Sequence, residues 1–266
     1  MKGVNVRRKI LLGALVPVLI FMCWSADTLA AGTGGGSNIF ITTYYWIPRT
    51  SGDITVSGRT QDHSLDTRES LETSNFGGLI AGEKWYGRWS LAFDLLVMAL
   101  EDKSSTGTTE LDSILDTSMT EFSFLWRLAY RTTGGALMHD PSTTGWAVDL
   151  EGGVRNTRVD LELDINPGAD LASSAYWTEP FAGGRFLFRP SRNWMMGVRM
   201  DAGGFSIGSA SDLTWNLAGG ADYRVGEEKW VQVGYRIMGL RYEESGGQAK
   251  IDMLVTGPMV AFRLDF

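Results

Sequence analysis

The clearest pattern in the chain is an alternation of apolar and polar residues between Thr120 and Arg131. One parity carries large apolar side chains, and the other carries mostly ionic and small polar ones. The first set is Phe122, Phe124, Trp126, Leu128 and Tyr130, and the second includes Glu121, Ser123, Arg127 and Arg131. Because successive side chains of a strand point to opposite sides, this stretch predicts a long β-strand between an apolar medium and a polar one.

Similar segments follow through most of the chain and predict an all-β fold of about ten strands, within a range of roughly 8–12, with no internal boundary. They span residues 39–46, 75–85, 88–100, 119–132, 146–163, 174–188, 194–206, 213–225, 230–243 and 251–266. The connections at 86–87, 190–193 and 226–228 are tight, whereas those at 47–74, 101–118 and 164–173 are longer. Short turns at one end and long loops at the other are typical of a transmembrane antiparallel β-barrel.

The N-terminal segment has the features of an export signal. Four basic residues among the first nine precede an apolar run over residues 10–24, and small residues follow at 28–31. The run is short for a membrane-spanning helix, which needs roughly 20 apolar residues. We therefore expect a cleaved signal peptide at 1–30, a Gly-rich segment at 31–38 and a barrel over 39–266.

Cleavage changes both the charge and the chemistry that the chain can use. It removes Cys23, the only cysteine, so disulfides, cysteine-ligated metals and a cysteine nucleophile are excluded from the mature chain. It also takes away four Lys/Arg and one Asp, which changes the formal net charge from −7 to −10. An acidic mature chain argues against a nucleic-acid partner.

The segment 53–74 allows two interpretations. Ile54-Thr55-Val56 is typical of a short strand, and residues 64–72 are typical of a short helix. The segment is therefore either a surface loop or a plug folded into the barrel. A true strand at 54–58 would change the strand count.

Three features favour a membrane barrel with its apolar side outward over a soluble barrel with its apolar side inward. The first is the polar parity, which carries eight acids, eight arginines and no lysine along the predicted strands. These residues are Glu83, Asp94, Glu121, Asp149, Glu151, Glu179, Asp201, Asp222, Arg127, Arg131, Arg155, Arg185, Arg199, Arg224, Arg236 and Arg263. The planar guanidinium suits enclosed pairing with carboxylates, so this set predicts an ion-pair network in the lumen. A codon preference for arginine is the alternative explanation.

The second feature is the placement of aromatic residues near both ends of the predicted strands, where a membrane barrel has its two girdles. One set is Trp89, Tyr130, Trp146, Phe188, Trp194 and Tyr223, and the other is Tyr45, Phe122, Tyr176, Trp215 and Tyr242.

The third feature is the last strand, in which apolar residues alternate with other residues up to Phe266. This ending resembles the terminal signature that outer-membrane barrels present to the bacterial barrel assembly machinery. Glycine pairs inside several strands also leave room for large inward groups. They predict a narrow lumen filled by ion pairs rather than a wide channel.

Several phrases of the C-terminal half resemble a largely uncharacterised family of small proteobacterial outer-membrane barrels with the architecture of the OmpA-like membrane domain. The matching phrases are Trp177-Thr178-Glu179-Pro180 leading to Gly184-Arg185, the run Asp201 to Phe205, Gly234-Tyr235-Arg236, and the ending Gly257-Pro258 to Phe266. In that family an Asp usually precedes the proline, whereas Glu179 stands here. The resemblance implies fold and location, but no activity.

The candidate chemistry for catalysis is sparse. His63 and Ser64 are adjacent, as in lipid-modifying barrels, but neighbours in a strand point to opposite faces, and His139 lies in a predicted turn. We expect no enzyme activity, no metal and no cofactor. The expected function is a structural or interaction barrel in the outer membrane, surrounded by lipid and lipopolysaccharide. The alternatives are a small-solute pore and, more remotely, a lipid-modifying enzyme.

Overall fold

The computed structural model describes residues 39–56, 59–65, 76–106, 109–133, 143–166, 171–207, 212–243 and 249–266. The predicted signal peptide, the Gly-rich segment and His139 lie outside these residues. Among the residues described, no helix is long and apolar enough to cross a membrane.

Twelve β-strands make up the fold. They are β1 (Ile39–Trp46), β2 (Arg49–Val56), β3 (Arg59–Leu65), β4 (Phe76–Tyr86), β5 (Trp89–Thr106), β6 (Thr109–Thr132), β7 (Gly145–Asn166), β8 (Leu171–Ser191), β9 (Trp194–Gly204), β10 (Leu213–Arg224), β11 (Lys229–Glu243) and β12 (Ala249–Asp265). Every neighbouring pair is antiparallel, and β1 pairs with β12 to close the sheet. A closed barrel leaves no free edge along its closed part, so the backbone hydrogen bonds are satisfied within the wall.

The last strand has two partners on one side. Its final residues pair with β1, from Trp46↔Met259 to Phe40↔Asp265, and its earlier residues pair with β2. Strands β1 and β2 therefore act as one interrupted strand, and β3 continues beside β2 as β4 lies beside β1. The wall is a closed barrel of ten strands, as the sequence predicts.

The described part of the segment 53–74 belongs to the wall. Strands β2 and β3 form a hairpin that pairs with β12, so the plug interpretation is wrong for residues 53–56 and 59–65. Residues 66–72, where the sequence predicts most of a short helix, lie outside the described residues.

The segment 101–118 is not a loop. Strand β5 continues to Thr106 and β6 begins at Thr109, so nearly all of this segment is paired sheet. The 24 residues of β6 extend about 80 Å at roughly 3.3 Å per residue. At a strand tilt of about 40° this is a rise of about 60 Å, whereas the apolar band of a transmembrane barrel is about 25 Å tall. The wall therefore projects well beyond the membrane at the end that carries the long hairpins.

The parity of the side chains confirms which face is outside. Phe122, Phe124 and Trp126 are exposed, with 48%, 44% and 43% of their surface accessible. Glu121 and Arg127, on the other parity of the same strand, are buried in the interior. Other outward apolar side chains surround the barrel at the same level. They include Leu150, Val154, Phe186, Phe188, Trp194, Val198, Val233, Tyr235, Val260 and Phe262.

The polarity of both faces inverts along the longest strands. In β7, Val154 is outward and Arg155 inward, but beyond them the outward side chains include Arg158 and Asp160 while Val159 is buried inside. Water replaces lipid around the projecting wall, so apolar groups there are stabilised inside the barrel. An apolar cluster of strand side chains fills the interior at this level. We call this cluster the plug; it is not the plug segment considered above for residues 53–74. It comprises Trp46, Ile54, Leu79, Leu96, Met98, Leu100, Leu115, Met119, Val159, Leu161, Trp177, Met238, Leu240, Ile251, Met253, Val255 and Met259.

The side chains of β6 after Arg127 do not lie where strict alternation places them. A bulge in β6 shifts the register between Arg127 and Ala129, so Arg131 pairs with Trp146 on the outer parity and is exposed. A one-residue shift moves every following side chain to the other face. The assignment of Arg131 to the lumen is therefore wrong, and Tyr130, assigned to the outer girdle, pairs in register with the buried Ala147 on the inner parity.

The girdle assignment of Tyr242 is also wrong. Tyr242 lies on the inward parity of β11, opposite the buried Ile251, and its ring stacks on Trp177. Its position close to the end of a strand made it resemble a girdle residue, but parity decides the face.

Candidate functional site

The centre of the lumen is organised around Arg155, which is fully buried. Its Nε donates to Glu121 Oε1 at 2.7 Å, its Nη1 to Glu179 Oε1 at 3.4 Å, and its Nη2 to Asp201. The three carboxylates come from β6, β8 and β9, so one side chain joins four strands. The ring of Phe181 lies 4.7 Å from the guanidinium carbon and covers its face.

A second arginine shares some of these acids. Arg199 donates from Nη2 to Glu121 Oε2 and from Nε to Glu151 Oε2, both at 2.8 Å. It also lies 3.4 Å from Asp201 and 3.8 Å from Asp94. Charge-assisted bonds of this kind are the strong ones, and each arginine here serves more than one carboxylate.

The third arginine at this level uses neutral partners. Arg236 donates from Nε to Asn216 Oδ1 at 2.8 Å and from Nη1 to the hydroxyl of Tyr44. It is buried in the lumen, as predicted, but makes no ion pair within 4 Å among the described residues. Asn216 in turn donates to Asp201 at 3.0 Å, which links Arg236 to the central group.

A second charge group lies nearer the tight-turn end. Arg127 holds Asp149 with two bonds, from Nε at 2.7 Å and from Nη2 at 3.1 Å. Arg185 bridges the same carboxylate, at 2.9 Å, to Glu83, at 2.8 Å. Trp85 lies against the guanidinium of Arg127, with 4.3 Å between the guanidinium carbon and the ring centroid. Two cations and two anions balance here.

A third group surrounds the buried Trp230. Arg263 pairs with Asp222 at 3.0 Å and with Asp265 at 2.8 Å, and the indole of Trp230 donates to Asp265 at 2.8 Å. Arg189 is also buried beside this ring. Asp265 and Arg189 were not among the predicted lumen residues. Asp265 alternates in the last strand with the outward Leu264 and Phe266 and could have been found by parity, whereas Arg189 falls beyond the predicted end of its strand.

Arg224 has a different role from the one predicted. Its guanidinium donates to the backbone carbonyl oxygens of Gly226 and Glu227 and therefore caps the turn between β10 and β11. It is close to Trp230 but makes no ion pair among the described residues.

The structure brings most of the predicted set together. Thirteen of its sixteen residues form ion pairs inside the barrel, and Arg236, Arg224 and Arg131 are the exceptions described above. A cavity of about 270 Å³ lies among these groups and is lined by both charges and rings such as Phe40 and Trp85.

A hydrogen bond joins the central charge group to the plug. Trp177 belongs to the plug, and its Nε1 donates to Glu179 Oε2 at 3.1 Å. Thr214, which is fully buried, donates to the same oxygen at 3.3 Å. Two neutral donors thus complete the solvation of a carboxylate that Arg155 holds at longer range.

The described residues contain no cluster of three His, Cys, Asp or Glu that could bind a metal ion. His63 lies in β3, opposite Gly52 in register.

Comparison with known proteins gives structural likeness only. No family model matches the chain, and no curated protein matches it in sequence. Among solved structures, the outer-membrane protease OmpT from Escherichia coli matches with a TM-score of 0.52 and 11% identity over 86% of this chain and 97% of that one. Ail, the attachment invasion locus protein of Yersinia pestis, matches with a TM-score of 0.41 and 11% identity over 87% of this chain and 99% of that one. The likeness to OmpT shows that this chain has the outer-membrane β-barrel fold.

Proposed function

We propose that this outer-membrane β-barrel is a closed structural or interaction barrel that does not conduct. The observation that supports this most strongly is the plug. Leu96, Leu100 and Met238 are completely buried, and Met98, Leu115 and Met119 are each 1% exposed. A filled apolar layer lies across the interior on the projecting side of the charge groups.

The plug opposes conduction for a simple physical reason. An ion entering an apolar layer must leave its water, and an isolated charge in such surroundings is very costly. The charges below the plug offer no continuous path around it, because most are engaged with one another. We therefore assign the charges to holding the strands together.

We place the chain in the bacterial outer membrane after cleavage of residues 1–30, with its tight turns in the periplasm and its long hairpins outside the cell. Phe266 supports the proposed role as an assembly signal, because it is 42% exposed and its backbone pairs with Ile39 at 2.8 and 3.1 Å. The barrel assembly machinery and the surrounding lipid and lipopolysaccharide are the proposed partners. The projecting wall would present the surface for any protein partner.

We also infer kinship with the small proteobacterial barrels of OmpA-like architecture, on the phrases named above. Two of the phrases contribute residues to the central charge group, namely Glu179 and Asp201, which both bind Arg155. We assign no catalysis to the chain.

A small-solute pore is the second candidate, and the cavity of about 270 Å³ is the observation that favours it. Its charged lining includes Arg185 and Arg236. If the plug opened, these arginines would line the path. Substituting either with Ala should then change ion selectivity.

Planar-bilayer recording of the refolded chain over residues 31–266 tests the proposal. We expect no stable single-channel steps at protein loads where heat-modifiable gel migration shows folded, inserted barrel. Stable steps that change in R185A or R236A would overturn the closed barrel in favour of the pore.

A further inference from the structure

The outer face of the barrel carries a groove of about 330 Å³ that the ion-paired lumen does not explain. It crosses four neighbouring strands, β10, β11, β12 and β2. Its principal lining residues are Trp215, Gly239, Arg241, Asp252, Leu254 and Asp53. Its volume is near the lower end of the range for small-molecule sites, roughly 300–1,000 Å³.

The aromatic side of the groove is the indole of Trp215, and its position requires a glycine beneath it. Trp215 lies between the buried Thr214 and Asn216, so its ring is on the outer face, and it is in register with Gly239. A Cβ at Gly239 would overlap the indole, which lies directly on the bare backbone there. The indole therefore lies close against the sheet and forms a low apolar surface.

The polar side of the groove combines donors and acceptors. Arg241 donates from Nε to Asp252 Oδ2 at 3.2 Å, and both side chains are about half exposed. Asp53 stands beside Asp252 in register and is also exposed. Two carboxylates and one guanidinium line the groove, so it has a surplus of acceptors and a net negative charge.

The groove lies where the apolar belt ends. On the side toward the tight turns the outward residues are apolar, including Leu217 and Leu254. On the other side comes the exposed pair of Lys250 and Glu243, with 3.8 Å between Nζ and Oε2. The level of the groove is therefore that of lipid headgroups, where tryptophan is commonly found.

We propose that this groove binds the sugar headgroup of an outer-leaflet glycolipid whose acyl chains lie on the belt below it. Hydroxyl groups both donate and accept, so they can satisfy the carboxylates and the guanidinium together. An apolar ring face fits the C–H face of a sugar. A bare phosphate would meet two carboxylates for each guanidinium, which disfavours it. Such binding rests on the proposed function's placement of the long hairpins outside the cell, but it does not depend on whether the lumen conducts.

The test compares three lipids on the delipidated, refolded chain. The probes are lipopolysaccharide that carries its core sugars, lipid A that lacks them, and phosphatidylglycerol, each titrated by calorimetry in the same detergent. We expect the sugar-bearing lipid to bind at least about tenfold more tightly than either of the others, which corresponds to 1.4 kcal/mol. Free core oligosaccharide should compete, and inorganic phosphate should not.

Two groove variants and one matched control locate the site. G239A displaces Trp215, and R241Q combined with D252N removes the charged pair without removing hydrogen-bonding groups. Each should weaken binding of the sugar-bearing lipid about tenfold while heat-modifiable migration is kept. The control is R158Q combined with D160N, a chemically identical pair on the outer face of β7, which should bind as the unaltered chain does.

Equal affinity for lipid A and for the sugar-bearing lipid would overturn the proposal, as would competition by phosphate. Unchanged binding in both groove variants, or equal loss in the control, would also overturn it. These outcomes are measured without a bilayer current, so failure here is separate from failure of the closed-barrel proposal.

Discussion

The rings of Trp177 and Tyr242 stack inside the barrel with 4.5 Å between their centroids and 12° between their planes. The two residues belong to β8 and β11, which are separated in the sheet by β9 and β10. The stack therefore joins two strands that do not pair with each other. Through the Trp177 indole it also reaches Glu179 and the central arginine.

Removing the Tyr242 ring should loosen this junction. Y242A loses a stacked pair worth about 0.5–1.5 kcal/mol in addition to the buried area of the ring. Y242F keeps the ring and should lose less stability than Y242A. Urea unfolding in lipid vesicles, followed by tryptophan fluorescence, measures both, and equal stability of the two variants would show that the stack contributes nothing.

Replacing Arg155 should be far more damaging than replacing a surface arginine. R155M leaves Glu121, Glu179 and Asp201 without their shared cation, and breaking a buried pair costs about 3–5 kcal/mol. R158M on the outer face of the same strand should change the free energy of unfolding by about 0–1 kcal/mol. The same unfolding assay compares them, and similar losses would contradict the buried network.

Because of the bulge in β6, Arg127 and Arg131 face opposite sides of the wall although they share one parity in the sequence. Substituting them should therefore have opposite effects on folding. R127E should prevent formation of the heat-resistant folded band, because it places a carboxylate against Asp149 in the interior. R131E should fold normally, since Arg131 is exposed. A folding defect in R131E as severe as that in R127E would show that Arg131 also faces the interior and that the alternation is not interrupted.

Thinning the plug should lower stability by a cavity effect. M98A and L115A each remove most of a fully buried side chain, and such changes cost about 2–5 kcal/mol. L128A, an exposed lipid-facing residue of similar size, is the matched control and should cost less. Thermal or urea unfolding of the three variants decides, and equal costs would show that the upper interior is not packed.

The sequence predicted the membrane-level part of this fold well, because one rule, alternation, governs it. Phe122 outward and Glu121 inward follow directly from that rule, and so does most of the ion-paired set. The arginine-only composition was the useful signal for enclosure. Asp265 follows the same rule, because it lies on the inward parity of the last strand and is buried.

The fold differs from the sequence-based prediction where alternation with an apolar outer face no longer applies. Beyond residue 156 the wall leaves the membrane, so residues such as Asp160 and Val159 follow the polarity of a water-soluble barrel, and the polar segment 101–118 resembled a loop. The bulge after Arg127 has no strong signature in the local sequence. The groove at Trp215 depends on four strands meeting in register, which pattern alone does not specify.

The division of β12 between β1 and β2 also constrains how the chain reaches this structure. Residues 40–46 must find residues 259–265 across almost the whole chain, whereas every strand from β5 to β12 can pair with the one made just before it. Contacts so distant in sequence are slow to form, because the entropy of the intervening chain is lost before they are made. The pairing of β1 with β12, where Trp46 donates to the carbonyl of Gly257, should therefore form last, and its formation should set the folding rate.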